Sequence, residues 1–197
     1  MTAQPIETES VGVEANAQLT GVTGGLLFVA LAIEGLTILR VHDLLKPHVF
    51  LGMVVGALVC LKLGSTGYRF ARYYAGDPAY TRKGAPHTIL RVIGPFVALT
   101  SVAVVLTGIV LVRGGRSARD PWLSLHKASF IVWFVLMTVH VLGHLRETAS
   151  LSARELTGEP TRAVPGRGAR MGLVTLTVAV GIAGGFVALD WATAWAH

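Results

Sequence analysis

Five apolar runs, each close to the ~20 residues that carry a helix across a bilayer, constrain this chain more than anything else in it. They extend from about Leu19 to Leu39, Pro47 to Tyr68, Thr88 to Val112, Trp122 to Leu145 and Met171 to Trp191. Hydrocarbon offers no partner for backbone N–H and C=O groups, so such runs fold as helices or not at all. The expectation is an all-α polytopic membrane protein, four helices bundled and one added. The division that follows is a disordered tail over 1–18, a four-helix membrane domain over 19–147, a loop over 148–170 and a fifth transmembrane helix over 171–191. The tail carries Glu7, Glu9 and Glu14 with no Lys or Arg, unlike a secretory signal, which starts basic and turns apolar early.

Composition agrees. With 52% hydrophobic and 14% charged residues and a mean hydropathy of +0.60, the chain is too apolar for an ordinary soluble domain. The formal charge of +6 comes from basic connectors. No Lys/Arg stripe with interleaved aromatics is present, which argues against a nucleic-acid partner. Ten Lys and Arg fall on the face shared by the N-terminus and the second and fourth connectors, against six on the other face. That bias predicts a cytoplasmic N-terminus in a multi-pass protein of the cell membrane. Trp122, Trp191 and Trp195, near span ends, read as interfacial anchors.

Ionisable side chains are costly inside a bilayer, so those within the runs are functional candidates. His48 and Lys62 are fourteen residues apart, and so are His126 and His140. At about 100° per residue, His126, Trp133, Met137, His140 and His144 share one face of the fourth span. His48, Gly52, Val55, Val59, Lys62 and Thr66 share one face of the second. The two columns match position by position at an offset of 78 residues, and the two spans run in the same direction. A haem between helices needs an imidazole from each side and small residues where the macrocycle presses on backbone. His48 and His126 meet the first need near the outer face, and Gly52 the second, although Gly52 and Gly56 also suit plain helix packing. Fourteen residues is about 21 Å of rise, which leaves room for a second haem, with Trp133 between the two levels. A lone histidine at a span end is more often an interfacial residue, and Trp133 and Met137 taken singly are more often packing. The single cysteine, Cys60, and the absence of a CxxCH motif mean that any haem is held non-covalently.

The segments His48-Val49-Phe50-Leu51-Gly52, Leu125-His126-Lys127-Ala128-Ser129-Phe130 and His140-Val141-Leu142-Gly143-His144 resemble the bacterial di-haem cytochrome b superfamily. That group includes hydrogenase and formate dehydrogenase b-subunits, ferric-reductase-like membrane domains and flavinylation-associated cytochromes, and the last are the most similar. The resemblance covers roughly Leu19 to Glu147. It implies a four-helix haem-binding bundle, one or two b-type haems, and electron transfer within or across the membrane. It puts His48, His126 and His140 on ligand positions. Donor and acceptor would be a quinol, a flavoprotein or another redox subunit.

Lys62 departs from that pattern, standing where a fourth histidine is expected. Four readings stay open: a single outer haem, a neutral Lys62 amine on iron, His87 as the missing partner of His140 or His144, or Lys62 snorkelling or pairing with a polar group. The first ranks highest. Glu34 reads as a proton relay, part of a quinone pocket, or a satisfied buried carboxyl. His42 reads as a loop residue, with a ligand or quinone-site role as the alternative. No dinucleotide fingerprint is present, so unaided NADH oxidation is not expected. The rival readings are a small transporter or permease subunit, and a cofactor-free membrane scaffold.

Overall fold

The computed structural model describes residues 4–82, 84, 88–157 and 164–193. The described residues form six helices and no strand. These are α1 (Gln4–Leu39), α2 (Leu45–Tyr74), the single-turn α3 (Pro78–Arg82), α4 (Thr88–Gly114), α5 (Arg119–Thr157) and α6 (Arg167–Thr193), with a 3₁₀ turn at Gly115–Ala118 between α4 and α5. Helices α1, α2, α4, α5 and α6 are each long and apolar enough to cross a membrane. Their outward residues are large and apolar: Leu36, Leu99, Phe134, Leu142 and Phe186 are all well exposed. Water would not tolerate so much exposed hydrocarbon, whereas lipid covers it without cost.

Four helices make a ring. Helix α1 packs against α2 and α5, α5 against α4, and α4 against α2. Helices α2 and α5 therefore face one another across the diagonal of the ring. Helix α6 lies outside the ring, mainly against α2. Small residues permit the close approaches. A Cβ on Gly181 would lie 2.8 Å from the Val54 Cα, and one on Gly185 would lie 2.6 Å from the Phe50 ring. On α1, a Cβ on Gly21 would run into the Leu151 side chain of α5. Between α1 and α2, Leu27, Val55, Leu58 and Val59 form a buried cluster, with Val178 of α6 against it.

Two sequence expectations need correction. The polar start, read as a disordered tail over 1–18, is helical from Gln4. Its polar residues are held by tertiary partners: Asn16 Nδ2 donates to the Ser65 carbonyl at 3.1 Å, and Gln18 Oε1 accepts from Arg170 at 2.8 Å. The loop expected over 148–170 is helical at both ends, since α5 continues to Thr157 and α6 begins at Arg167. A buried ion pair fixes this region. Arg170 Nε and Nη2 each donate to Glu155 at 2.9 Å, and further Arg170 donors reach the carbonyls of Pro165 and Val164. Glu155 is only 1% exposed.

Candidate paired-histidine site

Helices α2 and α5 carry the two histidine columns on the diagonal of the ring. Their first members meet. The His48 and His126 ring centres lie 6.4 Å apart, with planes at 74°.

Each imidazole is oriented from behind by a neighbouring helix. His48 Nδ1 lies 2.8 Å from Glu34 Oε1 and 3.1 Å from Thr37 Oγ1, both on α1. The Thr37 hydroxyl donates to the Glu34 carbonyl at 2.6 Å, so its oxygen is left to accept. Across the gap, His126 Nδ1 lies 3.1 Å from the Val104 carbonyl and 3.1 Å from Thr107 Oγ1, both on α4. The Thr107 hydroxyl donates in turn to the Ala103 carbonyl at 2.6 Å. Acceptors on both sides assign the proton to Nδ1 of each ring, which leaves each Nε2 with a free lone pair. A ring N–H held by a carboxylate or carbonyl is the usual setting of a metal-binding histidine.

A glycine makes room for one of these contacts. A Cβ on Gly108 would come within 3.1 Å of His126 Cε1, so α4 seats the ring at Thr107 and Gly108. A Cβ on Gly52 would meet only Glu34 Oε1, at 3.6 Å. That is ordinary van der Waals contact, so Gly52 lies beside the carboxylate one turn from His48 without being required there. Sequence reasoning found the two histidines and Gly52. It missed Thr37, Thr107 and Gly108, and it gave Glu34 no partner.

Farther along the columns, Trp133 is buried, and its Nε1 donates to Ser101 Oγ of α4 at 2.9 Å. That bond ties α4 to α5 halfway between the two histidine levels. At the second level, Lys62 Nζ donates to the Thr20 carbonyl at 2.7 Å, and a Cβ on Gly24 would lie 2.9 Å from it. His140 and His144 stack one turn apart, ring centres 4.8 Å from each other. His144 Nδ1 lies 3.4 Å from Glu147, while His140 Nδ1 is buried with no hydrogen-bond partner among the described residues. His87 lies outside the described residues. His42 is a fully exposed loop residue beside Asp43. There the Arg40 guanidinium, with help from His42, holds the Asp43 carboxyl below the usual carboxylate range.

Among the described residues, no group of three or more His, Cys, Asp or Glu is placed to hold a bare metal ion. Paired imidazoles are a different donor set, suited to a metal whose remaining ligands arrive with it.

Fold and surface define a multi-pass, all-α membrane protein. Comparison with known protein families, curated proteins and solved structures gives no match.

Proposed function

We propose that this protein is a b-type cytochrome, holding haem b non-covalently between His48 and His126 and carrying electrons within or across the cell membrane. One observation carries the proposal: two imidazoles from diagonal helices, ring centres 6.4 Å apart, each with Nδ1 engaged from behind. A metal–imidazole bond is about 2 Å, so two rings on one metal have centres about 6 Å apart. The resemblance of the histidine segments to di-haem cytochromes b supports the same reading.

Bound haem supplies a one-electron couple. The chain supplies the rest. His48 and His126 would hold the haem through their ring nitrogens. Glu34, Thr37, Val104 and Thr107 fix tautomer and ring orientation, and the apolar helix faces limit access by water. The electron partners would be a quinol, a flavoprotein or another redox subunit, and the basic-residue bias gives a cytoplasmic N-terminus.

A single haem at this level is the reading favoured here, because Lys62 has a backbone carbonyl as partner rather than facing a metal. His140 is the residue that would serve a second haem, since it stands fourteen residues beyond His126 on the same face of α5. Its opposite ligand would come from Lys62, His144 or His87.

The test is a dithionite-reduced minus oxidised spectrum of membranes from cells expressing the full chain. A b-type difference band is expected, abolished in His48→Ala and in His126→Ala. A correctly inserted, colourless wild-type protein would exclude the cytochrome and leave a transporter subunit or scaffold.

A further inference from the structure

The two imidazoles of the site are not held alike, and the difference lies in charge. Behind His126 stand a neutral carbonyl and a hydroxyl, Val104 and Thr107. Behind His48 stands a carboxylate, Glu34, only 8% exposed. The His48 ring is its hydrogen-bond partner, Nδ1 lying 2.8 Å from Oε1, and among the described residues no Lys or Arg pairs with it. A carboxylate so placed, in a membrane span, is costly unless positive charge lies nearby. The direction in which it can find that charge runs through His48 to the gap between the rings.

Resting on the haem reading above, we propose that Glu34 is a positioning residue that lowers the reduction potential of iron bound at His48. Porphyrin carries two negative charges when it binds iron, so the ferric complex bears one net positive charge and the ferrous complex none. Taking up one electron removes that positive charge. Glu34 therefore favours the ferric form in two ways. Its charge attracts the ferric complex through space. Its hydrogen bond draws the Nδ1 proton of His48 toward oxygen, making Nε2 a stronger donor to the more electron-poor iron. His126, held by neutral acceptors, lacks this push, so the two axial sides are electronically unequal.

The experiment is a mediator-equilibrated redox titration of the full chain, followed at the b-type band, for wild type, Glu34→Gln and Thr37→Val. Glu34→Gln keeps size and an acceptor oxygen but removes the charge. It is expected to shift the ferric-to-ferrous ratio at fixed potential about tenfold toward ferrous, a rise of about 59 mV for one electron. Thr37→Val leaves the carboxylate in place and is expected to shift the potential less. A midpoint in Glu34→Gln equal to or below wild type, with haem content retained, overturns the proposal for Glu34 and leaves the cytochrome reading standing. Should Glu34→Gln fail to retain haem, Glu34→Asp, which draws the carboxylate back by one methylene, supplies the measurement. Its midpoint is expected to rise, and an unchanged value overturns the proposal. A wild type without a b-type band overturns the cytochrome reading itself.

Discussion

Arg170→Met is expected to destabilise the protein severely, and the structure sets the scale. The Arg170 guanidinium makes a two-point contact with Glu155 at 2.9 Å on each arm, binds Gln18 at 2.8 Å, and reaches the carbonyls of Pro165 and Val164. Both members of the ion pair are nearly excluded from the surface, with side chains 8% and 1% exposed. Solvent screening therefore does little to soften the loss. Removing one partner of a buried pair leaves the other charge uncompensated, at about 3–5 kcal/mol. That is a drop of roughly two to three and a half orders of magnitude in the folded-to-unfolded ratio. Replacing both partners by apolar residues of similar volume removes the stranded charge, so Arg170→Met with Glu155→Leu should recover most of the loss. The assay is denaturant unfolding in detergent micelles, followed by tryptophan fluorescence. An Arg170→Met variant within about 1 kcal/mol of wild type would refute the reasoning, since it would mean that the pair is solvated. So would a double variant no better than the single one.

The remaining predictions concern the columns, the α2–α6 contact and the outer connectors. Lys62→Met should leave the amplitude of the b-type band unchanged, because Lys62 is bonded to a carbonyl; halving of the band would make Lys62 a ligand. Ferric wild type should give a strongly anisotropic low-spin electron paramagnetic resonance signal, as expected for imidazole planes near 74°; the signal of parallel rings would contradict that geometry. Gly181→Leu places side-chain carbon against the Val54 backbone, where a Cβ alone comes to 2.8 Å, and overpacking of this kind costs about 1–3 kcal/mol. Unfolding that matches wild type would mean that α6 does not seat on α2. Tyr80 is buried, which raises its phenol above the ordinary tyrosine range, with Tyr68 adding to the effect. The folded chain then keeps the Tyr80 proton longer than the unfolded chain does. This contribution to stability is complete below the unfolded value and is lost as pH rises through the folded one. Ultraviolet titration should show Tyr80 ionising above the ordinary tyrosine range, and ionisation within that range would count against its burial.

What could be read from the sequence depended on whether a signal was local. The spans were legible because hydrocarbon demands long apolar runs, whatever their neighbours. The meeting of His48 and His126 was legible because two parallel spans with equal spacings bring matched residues to similar depth. Glu34 as the partner of His48 was not found, yet the pattern contains it. The two residues lie seven positions either side of Val41, in the short turn that joins antiparallel α1 and α2. Thr20 and Lys62, twenty-one positions either side of the same residue, form the other contact across that hairpin. Counting outward from the turn would have predicted both. The helical start at Gln4 and the extension of α5 to Thr157 were beyond local reading. Polar residues such as Asn16, Gln18 and Glu155 look like surface positions until Ser65 and Arg170 arrive from elsewhere in the chain.

The bond between Gln18 and Arg170 joins residues 152 positions apart, and it lies at the end of the bundle opposite His48. A ribosome makes Gln18 well before Arg170, so this end cannot be fastened until α6 has been synthesised. The helices that precede α6 enter the bilayer without that clasp, and α6 brings it.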